Sequence, residues 1–147
     1  MKIEVRERPF NPYREIEQYQ ELLARGGQYG ATTCFVGTMR DVNDARRVYG
    51  MTLEYYPGMT EKHITRICRR ASAQWSLLDC LVLHRVGKIE INDTIVVVAA
   101  WAVHRGDAME ACRFIVEDLK SRAPFWKKEK LGDGEAWVEG NTSGFSN

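Results

Sequence analysis

The chain has 147 residues, 44% hydrophobic and 28% charged, enough for a folded unit with a buried core. Its 21 basic and 20 acidic residues leave a formal charge of +1, which excludes a protein wrapped in positive field and makes any cationic site local. Cys34, Cys68, Cys80 and Cys112 form no CxxC pair and do not cluster with the histidines, which argues against zinc or iron–sulfur ligation and for reduced, buried cysteines in a cytoplasmic protein.

No repeat, low-complexity linker or composition break divides the sequence, so residues 1–139 are read as one domain. Residues 140–147, polar and glycine-rich, are read as a loose tail. Lys2–Arg8 alternates like a half-exposed edge strand, and Met1–Pro9 holds no hydrophobic run of the kind that begins a secretory signal. Asn11-Pro12 reads as an N-cap followed by proline at the first helical position; the helix is expected to reach about Arg25 and stop at Gly26-Gly27. Ala31–Met39, rich in β-branched and aromatic residues, reads as a buried strand. The polar segment Arg40–Gly50 reads as a mobile loop, and Met51–Tyr56 as a short strand. A second helix is expected from Pro57, with Ile64, Ile67, Cys68, Ala71 and Trp75 at helical spacing.

Leu81–Val86 and Ile95–Val103 are continuously apolar, as strands buried on both faces are, with a turn around Asn92-Asp93 between them. Ile95–Val103 is the longest apolar run and far too short to span a membrane. A third helix is expected over about Asp107–Arg122, its inner face marked by Met109, Cys112, Val116 and Leu119 and its end by Pro124. Asp133-Gly134 marks a turn before a last short strand at Ala136–Val138. Helices and strands mix without strict βαβ alternation, so the class is α+β.

Three element ends finish in cations. Lys120–Lys130 (KSRAPFWKKEK) sets Lys120, Arg122, Lys127, Lys128 and Lys130 against one acid, Glu129. Its aromatic elbow Pro124-Phe125-Trp126 separates Lys120 from Lys127; aromatic walls exclude water, and a desolvated ammonium loses its proton more readily and serves as a general acid–base. His104-Arg105 follows an apolar strand and offers a titratable group beside a phosphate clamp. Gly37-Thr38-Met39-Arg40 repeats the pattern at another strand end. Together they point to one site for a small anion. The similar pair His84-Arg85 lies inside a strand pattern and reads as structural. There is no P-loop, GxGxxG or GxSxG motif.

The strings FVGTMR (35–40), LEYYPGMTEK (53–62), HRVGKIEIND (84–93), AVHR (102–105), LKSRAPFWKKE (119–129) and WVE (137–139) resemble the catalytic (large) subunit of molybdopterin synthase, in unbroken order over about Ala31 to Glu139. The resemblance implies an α/β hammerhead-type α+β domain with a mixed or antiparallel sheet and packed helices. It implies a homodimer, each protomer binding a small ubiquitin-like sulfur carrier ending in Gly-Gly, hence a heterotetramer. The implied reaction moves sulfur from the carrier's thiocarboxylate to cyclic pyranopterin monophosphate, building the dithiolene of molybdopterin, with no cofactor bound by this subunit. Substrate binding is implied for Thr38, Met39, Arg40, His104, Arg105, Lys120, Lys127, Lys128 and Glu129, and catalysis for Lys120 and Lys127. The Arg40–Gly50 loop would then gate the site or meet the carrier. No basic residue follows Lys130, so a tail arginine present in some members has no counterpart. Two other readings stay open on residues alone: a module that holds RNA or another anionic polymer through Phe125–Lys130, and a scaffold that binds the carrier without turnover.

Overall fold

The computed structural model describes residues 1–23, 25–43 and 45–138; Glu139 and the tail read at 140–147 lie outside the described residues. In chain order the elements are β1 (Lys2–Arg6), α1 (Pro12–Leu22), β2 (Ala31–Thr38), β3 (Val42–Asn43), β4 (Arg46–Arg47), β5 (Gly50–Tyr55) and α2 (Met59–Trp75). They continue with β6 (Asp79–Arg85), β7 (Gly87–Ile89), β8 (Thr94–Ala102), α3 (Arg105–Ser121), β9 (Phe125–Leu131) and β10 (Gly134–Trp137). The Asn11 side chain caps α1 by accepting from the backbone N–H groups of Tyr13 and Arg14, which would otherwise lack intrahelical partners.

The two apolar strands β6 and β8 are the axis of the molecule. They form the centre of a sheet ordered β1-β6-β8-β2, with β1 parallel to β6 and the other pairs antiparallel, the mixed sheet expected of an α+β fold. Successive side chains on a strand point to opposite faces, so each strand feeds two cores. Cys80, Val82, Val96, Val98 and Ala100 pack with Ile64, Ile67 and Cys68 of α2 and Ala111, Cys112 and Ile115 of α3. Leu81, Leu83, Val97, Ala99 and Trp101 face the other way, against Phe10, Ile16 and Tyr19. Each fully buried Val, Leu or Ile here stabilises the fold by about 1.5–3 kcal/mol relative to exposure. No helix among the described residues is long and apolar enough to cross a membrane.

A second, antiparallel sheet, ordered β10-β9-β5-β7, encloses Met39, Val48, Met51, Leu53, Val86 and Ile89. Here the structure departs from the sequence reading. Arg40–Gly50 carries the hairpin β3–β4, pinned by Val48 N–H to Asp41 O at 2.8 Å and Tyr49 N–H to Lys130 O at 2.8 Å. The stretch beginning at Phe125 is a strand, its charges tolerated because only alternate residues turn inward. On α3 the inner face is Ala108, Ala111, Cys112, Ile115 and Leu119, while Met109 is 53% exposed; small alanines let the helix approach the sheet closely, a role that hydrophobicity alone does not signal. Cys34 is exposed on the edge strand β2, unlike the other three cysteines.

Candidate active site

The site begins where β2 ends. A Cβ on Gly37 would lie 2.9 Å from Val96 Cγ1 and 3.3 Å from Phe35 Cε1, so glycine lets β2 close against β8 there. The register then slips: Gly37 pairs with Val96 and Thr38 with Thr94, leaving Ile95 as an extra residue, a bulge that bends the strand. Met39 is fixed by paired bonds to the next turn, its N–H to Asp93 O and its O from Asn92 N–H, both 3.0 Å. Thr38, Met39 and Arg40 are thereby delivered to the rim of a cavity of about 320 Å³.

The opposite wall comes from the end of α3 and the start of β9. Lys120 occupies the last helical turn, after which Arg122 N–H (2.8 Å) and Ala123 N–H (3.2 Å) both bond the carbonyl of Asp118. Thr60, fully buried, clamps the joint: its hydroxyl accepts from Tyr56 N–H and donates to Pro124 O, each at 3.1 Å. β9 then runs antiparallel to β5, pairing Lys127 with Leu53 and Glu129 with Met51. Alternation turns Lys127 and Glu129 into the cavity. Lys127 Nζ lies 3.5 Å from Glu129 Oε1, and the same oxygen accepts from the amide of Asn43 on β3. Glu129, though 7% exposed, is therefore satisfied, and the hairpin is tied to the cavity wall.

The pKa of Lys120 is lowered, first by burial and then by the positive charges of Lys127 and Arg40. The C-terminal dipole of α3 favours a cation at that position and opposes the shift without cancelling it. Such an amine exchanges protons nearer neutral pH than a solvated lysine does.

A narrower cavity of about 90 Å³ adjoins, lined by Lys120, Lys127, His84 and Phe125 among others. The His84 ring stacks on Phe125 with centroids 3.9 Å apart and planes 19° apart. Its Nδ1–H donates to Arg85 O at 2.9 Å, and burial pushes its pKa down to about 4. The structural reading holds for Arg85, which donates to Glu7 O and Lys88 O, both at 2.8 Å. His84 is likewise buried and bonded to a neighbour, and it also lines the cavity beside the two lysines. Alternation along β6 carried the signal, because His84 shares a face with Val82 and Cys80.

Within one chain the structure sets two groups of the expected site residues apart from the lysine cavity. Arg105 and Lys120 lie at opposite ends of α3, roughly 22 Å apart at 1.5 Å per residue, and His104-Arg105 is exposed at the far end of the sheet from Thr38. Within one chain, two of the three cationic ends converge and the third does not. Lys128 lies on the outer face of β9, paired with Glu135 at 2.7 Å and over the Trp137 ring at 5.4 Å. The aromatic elbow divides in the same way, Phe125 inward and Trp126 outward, edge-on to Tyr56 at 4.8 Å. Phe125–Lys130 is thus divided between two faces, Phe125, Lys127 and Glu129 lining the cavities and Trp126, Lys128 and Lys130 turned outward.

Fold and site together define a small α+β domain whose cavity sets two lysines and an arginine on one wall and rim. The family described as MoaE protein matches residues 6–122. The molybdopterin synthase catalytic subunit of Ralstonia nicotianae is 49% identical over 137 residues, covering 93% of this chain and 76% of the relative. That of Pseudomonas aeruginosa is 46% identical over 143 residues, covering 97% and 93%. The solved molybdopterin biosynthesis MoaE protein from Burkholderia ambifaria superposes with a TM-score of 0.79 at 43% identity, covering 97% of this chain and 91% of the other. The chain belongs to the MoaE family, and its role is that of an enzyme subunit in molybdopterin biosynthesis.

Proposed function

We propose that this chain transfers sulfur from the C-terminal thiocarboxylate of a small ubiquitin-like carrier to cyclic pyranopterin monophosphate, forming the dithiolene of molybdopterin. The observation that carries the reading is Lys120, its pKa lowered by burial, Lys127 and Arg40, on the wall of a cavity of about 320 Å³. That volume lies within the usual range of small-molecule sites, roughly 300–1,000 Å³. Arg40 grips the phosphate through paired hydrogen bonds, with Thr38 and Met39 holding the rim. A thiocarboxylate brings its own nucleophilic sulfur, so the chain's task is proton transfer and charge stabilisation. As each oxygen leaves the pterin side chain it takes a proton, which Lys120 supplies. Lys127, oriented by Glu129, stabilises the negative charge that develops. The scheme uses no cofactor resident in this chain.

His104 and Arg105 fit this reading through a second copy of the chain. Exposed and remote from their own cavity, they are free to complete another one, so a homodimer lets His104 of the partner subunit and Arg105 of the partner subunit reach the phosphate. One carrier per protomer then gives a heterotetramer. The hairpin β3–β4, held to the cavity by Asn43, is the surface we assign to meeting the carrier. We place the assembly in the cytoplasm, where a thiocarboxylate and the exposed thiol of Cys34 stay reduced. The test is reconstitution with thiocarboxylated carrier and cyclic pterin. Lys120→Ala and Lys127→Ala should each cost about 10²–10⁴ in turnover with unchanged circular dichroism; normal turnover by both ends the reading.

A further inference from the structure

We propose that His84 is a positioning residue for Lys120: its Nε2, unbonded in the structure and open to the cavity that both residues line, is the acceptor to which the lysine ammonium turns, so that the remaining N–H bonds point at the substrate. The inference rests on the sulfur-transfer reading for its function, but its geometry stands apart. Nδ1 lies 2.9 Å from the carbonyl oxygen of Arg85. A carbonyl only accepts, so Nδ1 carries the proton and Nε2 presents a lone pair. Among the described residues that bond is the ring's only hydrogen bond. Among the described residues the enclosed side-chain atom without a hydrogen bond is Arg85 Nη1, which lies 3.5 Å from Asp93 Oδ2, and not His84 Nε2, so Nε2 keeps an opening although the residue is only 5% exposed. That opening is the narrow cavity shared with both lysines.

The ring cannot swing away. It sits on the central strand β6 and is stacked on Phe125 at 3.9 Å, while the Arg85 carbonyl fixes its tilt. Of the two candidate donors, Lys127 is drawn to Glu129 at 3.5 Å, whereas Lys120 has no carboxylate partner among the described residues. The charge of Lys120 reaches His84 and helps burial keep the imidazole neutral, with a pKa near 4. His84 therefore remains an acceptor throughout the neutral range. The groups facing Lys120 are Lys127 and Glu129 from β9, Arg40 after β2, Glu117 one turn earlier on α3, and His84 from β6. Two like charges and burial push the Lys120 proton off; a neutral acceptor holds it on, so that the amine still arrives at the reaction as an acid.

The test pairs lysine-selective ¹³C NMR titration of the full chain, with the Lys120 resonance assigned by its loss in Lys120→Arg, with the pH profile of reconstituted turnover. His84→Phe keeps a ring on Phe125 but offers no acceptor; His84→Asn keeps a donor for Arg85 O but loses the acceptor at the ε position. Both should lower the Lys120 pKa by about one unit and move the alkaline limb of kcat down with it. His84→Gln restores an acceptor at the ε position and should return most of both shifts. A merely structural role would lower stability and leave the titration in place. An unchanged Lys120 titration in His84→Asn overturns the proposal, even if His84→Phe fails to fold. If the shifts appear while the wild type transfers no sulfur, the positioning role stands and the sulfur-transfer reading falls.

Discussion

Thr60→Val removes one oxygen at the joint that sets Lys120 relative to Lys127. Valine matches threonine in shape, so packing around this fully buried position is nearly preserved. What is lost are the bonds to Tyr56 N–H and Pro124 O, both 3.1 Å. A buried polar group left without a partner costs about 1–3 kcal/mol. Tyr56 is 53% exposed, and its N–H can recover water in part, so the sum is about 2–3 kcal/mol rather than the upper limit. For a chain of this size that is a fall in Tm of about 5–10 °C. Urea titration should show the same loss in the midpoint with an unchanged slope. Thr60→Ser keeps the hydroxyl and should cost only about 1 kcal/mol. Because Pro124 joins α3 to β9, the valine variant should also lose turnover at temperatures where it remains folded, through misalignment of the two lysines. A valine variant within about 0.5 kcal/mol of wild type, the scale of a surface substitution, would refute the assignment of Thr60 as the clamp.

Lys128→Ala should leave turnover within about twofold of wild type, because its pair with Glu135 is an exposed one; a loss matching that of Lys127→Ala would mean that β9 presents both lysines to the substrate. Lys120→Met should abolish turnover and raise Tm at pH 6. The folded state lowers the Lys120 pKa, so its stability cost is present when the ammonium persists and is relieved as pH rises through the lowered pKa towards the ordinary value near 10.4; the gain should therefore shrink by pH 10. His84, with its pKa pushed down to about 4, stays neutral in the folded chain while the unfolded chain protonates near 6.5. Stability should therefore fall by on the order of 2–3 kcal/mol between pH 6.5 and 4. Urea titrations of wild type and His84→Phe over that interval should differ by this amount, and parallel curves would remove His84 as its source.

Much of this protein is written in short-range pattern. Asn11-Pro12 announces α1, and the spacing of Ile64, Ile67, Cys68 and Ala71 marks the buried face of α2. The unbroken apolar runs of β6 and β8 identify strands covered on both sides. These features were legible because burial and capping act on neighbouring residues with a fixed period. The cations at 38–40 and 120–129 were equally visible, and so was the family whose motifs they follow in order.

Other features depended on the company each segment keeps. A charged stretch such as Phe125–Leu131 becomes a strand because β5 and β10 supply its hydrogen bonds from either side, and that pairing sends Lys127 inward and Lys128 outward. Local composition cannot choose between those faces. Nor can it distinguish a histidine satisfied within its own strand from one whose second nitrogen opens beside a lysine, since Phe125 and Lys120 are distant from His84 in sequence. The separation of His104-Arg105 from Lys120 is a matter of helix length and direction, settled once α3 lies against the sheet. Sequence determined which chemical groups exist and which segments hide from water; the assembled sheets decided which of those groups meet, because distance in space is set by long-range packing and strand register.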